Sequence, residues 1–319
     1  MRRRQQAPIG AAMLVARLAA EAFRIGAGPV TLGLLGVNVL MYIQPGLVAD
    51  LLWNSPLPKL PTLMAALHHD QVQGVCLNPA AMMAEAESGL WSSLAVRLIA
   101  SGLIHGSDMH LYYNMSSLLL KGSSLETSMG SLVFLSMTGQ LLVMEGLLYI
   151  ALAYAATFGP LADLLRSLGV TWLADSYYSC AVGFSGVLFG YKYLLQRRSN
   201  EPSTVMGIVL PLKYVTWAEL VLIQLVAPNA SFLGHLCGIL AAILWEGSFL
   251  RSLSGLIKFP ALGTAGSSSR SHPSYQYNSG ASGWAGRSDG RVRPHQRNTA
   301  DYSEDAAVKA AIERSLREQ

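Results

Sequence analysis

A serine hydroxyl becomes a useful nucleophile only when a base lies within hydrogen-bond reach of it. Gly183-Phe184-Ser185-Gly186 places a serine among small residues, and Gly234-His235-Leu236-Cys237-Gly238 places a histidine between two glycines four apart. Glycines at that spacing share a helical face and admit another helix closely. The run Gly186-Val187-Leu188-Phe189-Gly190 offers a second such face directly after the serine. Taken singly, the serine run reads more readily as a helix-packing surface, and the histidine as a hydrogen-bonded structural residue. Packed together, they would bring the His235 imidazole to the Ser185 hydroxyl. The elbow G-x-S-x-G of soluble hydrolases is not matched, because Val187 holds the last glycine position.

A third group is His110-Leu111-Tyr112-Tyr113-Asn114, whose two polar residues are four apart and so lie on one helical face. Such a pair is often structural. Both side chains also donate hydrogen bonds, the property needed to stabilise an oxyanion during acyl transfer.

The elements that carry these residues are set by composition. The chain has 319 residues, 51% hydrophobic and only 13% charged, which excludes an ordinary soluble domain and reads as a membrane protein. Net charge is +4, with the basic residues in short clusters beside apolar runs, so nucleic acid is not an expected partner. The three cysteines have no metal-ligand spacing, and an odd number cannot pair completely within the chain. An apolar helix needs about 20 residues to span a bilayer. Six stretches approach that length: Pro29 to Leu52, Ser107 to Lys121, Gly130 to Phe158, Ser179 to Leu195, Met206 to Ala227 and Phe232 to Leu250. The second is short because His110 and Asn114 lie inside it, and polar groups at that depth must face protein or water.

Arg2 to Arg4, Lys121, Arg197 with Arg198, and Arg251 with Lys258 all fall on one side of these spans. The positive-inside rule makes that side cytosolic, with both termini there. The second, fourth and sixth spans then run in the same direction, and His110, Asn114, Ser185 and His235 share the opening turns of their helices. At about 1.5 Å per residue, each sits roughly 5 to 10 Å below the non-cytosolic surface, where water can reach. The intramembrane Lys192 is expected to pair with Glu145 or Glu219. The sequons at Asn114 and Asn229 are expected to remain unmodified, since one lies inside a helix and the other against the membrane.

The Gly183-Phe184-Ser185-Gly186 run, the Gly234-His235 pair with Gly238, and His110 with Asn114 resemble the signature of the rhomboid intramembrane serine proteases. Arg97 and His105 resemble the arginine and histidine of that family's first luminal loop. The likeness implies an all-α membrane protein with the six-transmembrane-helix rhomboid fold, filling residues 29–251. It implies a Ser185–His235 dyad, an oxyanion site of His110, Asn114 and the Ser185 backbone N–H with Gly183 in support, and no metal or cofactor. Transmembrane proteins in the surrounding lipid bilayer would be the substrates. Two departures are Val96, where many members carry Trp, and Phe189, where many carry Tyr; the Phe189 ring can still stack on His235. A silent scaffold for membrane clients is the rival reading, but such relatives usually lack the serine or the histidine.

Residues 1–28 read as a cytosolic amphipathic helix rather than a cleaved leader. Residues 252–302 are rich in Gly, Ser, Arg and Tyr, the composition of a disordered linker. Residues 303–319 regain helical character. Val308, Ala311 and Ser315 there are similar to a ubiquitin-interacting motif, with an ordinary surface helix as the alternative. The motif would link the chain to the rhomboids of the endoplasmic reticulum that feed ubiquitinated substrates to degradation, with Golgi, mitochondrial or plastid membranes as other locations.

Overall fold

The computed structural model describes residues 9–54, 74–198, 203–205 and 208–247. Within them the chain is almost wholly helical. Helices α1 (Ile9–Ile25), α2 (Pro29–Ile43) and α3 (Pro45–Trp53) lead to α4 (Pro79–Glu87) and α5 (Trp91–Leu103), which form the connection to the longer helices. The long α6 (Asp108–Met129) and α7 (Ser131–Thr157) follow, then two short helices, α8 (Pro160–Ser167) and α9 (Trp172–Asp175). The site-bearing α10 (Ser185–Arg198) precedes a small antiparallel hairpin of β1 (Ser203–Val205) and β2 (Ile208–Leu210). The last two described elements are α11 (Leu212–Val226) and α12 (Phe232–Gly247).

Four of the expected spans differ in extent. The first is a pair of helices, α2 and α3, bent by 114°. The second continues past Lys121, which lies inside α6 with its Nζ on Ser117 Oγ at 2.7 Å. There Lys121 bonds within the helix and the Glu126 carboxylate finds its donors on α2 and at the start of α7. The fourth starts at Ser185 and not Ser179, because residues just upstream are committed to a strand-like pairing. The fifth is shortened to Leu212–Val226, its expected beginning being taken up by the hairpin. The tail, including Val308, Ala311 and Ser315, lies outside the described residues.

Helix α10 is central. It packs against α12 along their glycine faces and is flanked by α6, α7 and α11. The core between them holds Leu111, Met115, Phe134, Met137, Leu188 and Trp245, each at most 3% exposed. Polar contacts tie the helices where apolar packing alone could slide. Trp245 Nε1 donates to Gln140 Oε1 at 2.8 Å, and Tyr191 and Thr138 share a hydrogen bond of 2.5 Å. Arg197 meets Glu246 at the far end of α10 and α12 from Ser185 and His235, so the two helices run parallel.

Glu126 on α6 anchors the start of α2. Its carboxylate accepts from Val30 N at 3.0 Å, Thr31 N at 2.8 Å and Thr31 Oγ1 at 2.7 Å, and from Ser131 Oγ at 2.7 Å. The first amides of a helix have no intrahelical partner, and a carboxylate there also meets the positive end of the helix dipole. Glu126 is only 4% exposed, so the contact fixes the register of α2 on α6. Glu126→Ala strands these buried donors at about 1–3 kcal/mol each. Its thermal unfolding midpoint in detergent is expected to fall well below that of Glu126→Gln, and equal midpoints for the two variants would count against the anchor.

Candidate active site

The position of Ser185 is set upstream of its own helix. Ala181 and Leu77 form an isolated antiparallel bridge, with N–H to O distances of 2.9 and 3.0 Å. Beside it, Cys76 and Cys180 are joined in a disulfide, leaving Cys237 as the free thiol. Gly183 N donates to Ser101 O at 2.8 Å, and Arg97 Nη1 donates to Cys76 O at 3.0 Å. Arg97 is in turn held by Glu85, at 2.7 Å from Nη2 to Oε1, and Ser93 Oγ donates to Glu85 Oε2 at 2.8 Å. The connection between α3 and α6 thus clamps the five residues that lead into Ser185.

Gly183 has φ +113°, a backbone state that side chains resist, and a Cβ there would lie 2.6 Å from two atoms of the His110 ring. The chain turns under His110 and starts α10 at Ser185. As the first residue of a helix, Ser185 has a backbone N–H with no intrahelical partner, aimed where negative charge is favoured.

Ser185 Oγ lies 2.9 Å from His235 Nε2. His235 is 5% exposed, and the Phe189 ring stacks on it at a centroid separation of 4.5 Å and an interplanar angle of 27°. One helical turn separates Ser185 from Phe189, so α10 presents both the serine and the ring that stacks on its histidine partner. The stacking expected of Phe189 is therefore present without a phenolic hydroxyl.

Four residues singled out by the sequence converge here: Ser185, His235, Gly183 and His110. Asn114 is on the same face of α6, but its Nδ2 donates to His110 O at 2.9 Å, along its own helix. The His110 ring also makes an edge contact with His105 at 5.0 Å. The intramembrane ion pair resolves to Lys192 with Glu219, joining α10 to α11. Glu145 instead lines a cavity of about 30 Å³ together with Ser101, Tyr149, Ser185, Ser231 and His235. Its intramembrane position was visible in the sequence, but nothing in the local pattern of α7 indicates which neighbour it faces. Among the described residues, no group of three or more His, Cys, Asp or Glu is arranged to hold a metal ion.

Parallel helices that bring a serine and a histidine together at their shared beginning, inside a polytopic helical bundle, define a class of membrane protein. The chain belongs to the rhomboid family, whose Rhomboid domain model matches residues 92–252, and it is accordingly a multi-pass membrane protein. It is 37% identical over 246 residues to "Rhomboid-like protein 14, mitochondrial" of Arabidopsis thaliana, covering 73% of this chain and 63% of that relative. It is 35% identical over 233 residues to "Rhomboid-related protein 4" of Homo sapiens, covering 69% of each. "Rhomboid-type serine protease 2" of Eremothecium gossypii is 30% identical over 145 residues, 45% of this chain and 49% of that relative. The chain thus spans a little under two thirds of the length of the Arabidopsis protein. No solved structure gives a significant match.

The Glu85–Arg97 lock makes the site sensitive to acid. Partial burial raises the Glu85 carboxyl, but the hydrogen bonds from Arg97 and Ser93 and the Arg97 charge outweigh it and leave the pKa below 4.5. A depressed carboxyl stabilises the fold above its unfolded pKa and loses that contribution as pH falls through the folded value. The thermal midpoint of the wild type is expected to drop on acidification below pH 4.5 more steeply than that of Glu85→Gln. Parallel curves for the two proteins would remove the lock from the account.

Proposed function

We propose that the chain is an intramembrane serine protease that cuts peptide bonds within or beside the transmembrane segments of other membrane proteins. The observation that carries this reading is the Ser185–His235 hydrogen bond of 2.9 Å beside a cavity of water size. His235 Nε2 takes the Ser185 proton as Oγ attacks the scissile carbonyl, then returns it to the leaving amine. The developing oxyanion is held by the free N–H of Ser185, with His110 and Asn114 as side-chain donors. For Asn114 this requires its amide to turn from the His110 carbonyl, or to use its second hydrogen. Removing one such donor typically costs about 100- to 1000-fold in rate.

The endoplasmic reticulum is the proposed compartment. In support, the Cys76–Cys180 disulfide lies on the active-site side, and disulfides persist in oxidising spaces such as that organelle's lumen. The tail residues Val308, Ala311 and Ser315 would bind ubiquitin on client proteins, which a pulldown with immobilised ubiquitin tests directly.

The decisive assay is cleavage of a single-span reporter with an easily unwound helix in membranes. Wild type should release product while Ser185→Ala and His235→Ala release none. Equal behaviour of all three on several reporters would instead favour a scaffold that binds clients without cutting them. The compartment has its own readout. Maleimide tagging of cysteines in unreduced, denatured membranes should modify Cys237 alone, with Cys76 and Cys180 becoming reactive only after reduction.

A further inference from the structure

Glu145 is an acid inside the membrane-embedded part of the fold that neither the Ser185–His235 pair nor the oxyanion donors use. It lies on α7, and its carboxyl occupies the space beside Gly186 that a Cβ there would need. Gly186 is the residue after the nucleophile. Glu145 lines the same cavity as Ser185 and His235, together with Ser101, Tyr149 and Ser231. Lys192, the intramembrane cation of α10, is engaged by Glu219, so Glu145 is not consumed by that ion pair. The cavity volume of about 30 Å³ suits one or two water molecules and is too small for a long substrate side chain.

We propose that Glu145 is a water-positioning residue, holding the water that hydrolyses the acyl-enzyme. The proposal rests on Ser185 acting as nucleophile. In that intermediate the substrate carbonyl carbon is bonded to Ser185 Oγ. The water oxygen attacks this carbon and gives one proton to His235 Nε2, while its other hydrogen is donated to Glu145. The carbon–Oγ bond then breaks, Oγ takes the proton back from His235, and the carboxylic acid product leaves. Glu145 ends the step with the protons it began with, because a carboxyl retains an acceptor oxygen whether or not it is ionised. An apolar bilayer makes such an acceptor valuable, since water is scarce at that depth and a held molecule replaces a bimolecular encounter.

The test uses the full-length protein with Glu145→Leu and Glu145→Gln, read in two ways. Fluorophosphonate labelling of Ser185 reports the nucleophile and its base and needs no water. Reporter turnover needs both halves of the reaction. Glu145→Leu is expected to keep the wild-type labelling rate, to lose turnover by about tenfold or more, and to accumulate a denaturation-stable adduct with the reporter's N-terminal fragment. Glu145→Gln keeps an acceptor oxygen and should recover most of the turnover. Unchanged turnover in Glu145→Leu overturns the proposal. Parallel loss of labelling and turnover in both variants also overturns it, by assigning Glu145 to the architecture alone. A wild type that neither labels nor cuts defeats the protease reading itself, a result distinct from either.

Discussion

The contact on which the site depends is the one between the backbones of α10 and α12. A Cβ on Gly238 would collide with the Gly186 carbonyl, and one on Gly190 would come within 2.9 Å of the Gly238 carbonyl oxygen. The two helices are therefore as close as main chains can come, and the separation of Ser185 from His235 is set by backbone atoms instead of adjustable side chains. Rotamer freedom cannot loosen such a contact, and packed interiors yield little to compression. Arg197 and Glu246 close the opposite end, so the helix pair is fixed at both extremities.

Polar groups inside the bundle obey a stricter rule than in a soluble core, because hydrocarbon offers no hydrogen bonds to an unsatisfied donor. Four contacts answer this rule by joining helices through the polar groups themselves: Glu126 to the start of α2, Thr138 to Tyr191, Gln140 to Trp245, and Lys192 to Glu219. Each is a long-range pair, and together they fix rotation and register that apolar packing would leave free.

Much of the site was legible because its residues sit on regular helices. The four-residue spacings in α6 and α12 follow directly from the helical repeat, and parallel helix directions follow from charge placement, so Ser185, His235 and His110 could be brought together without coordinates. The start of α10 was not legible. Residues 179–184 are apolar enough to read as helix, and only the pairing of Ala181 with Leu77, 104 residues away in chain, makes them extended. The disulfide escaped for the same reason: Cys76 and Cys180 have no local relation. Lys121 read as a boundary charge, but α6 passes through it because Glu126 finds its partners on α2 and α7. Glu145 was visible as a membrane-embedded acid, yet its role depends on which neighbour it faces, and that is tertiary information.

The brevity of α11 bears on the lipid around the protein. Its 15 residues rise about 22 Å, whereas a typical hydrocarbon layer is about 30 Å deep. The shortfall can be met by drawing the two leaflets together beside the protein, at a fraction of a kcal/mol per Å. That cost is smaller where the bilayer is thin to begin with, as in the early secretory membranes, and grows in sterol-rich ones. Membrane thickness thereby sets a mechanical cost on where the chain sits, separate from any recognition by a receptor.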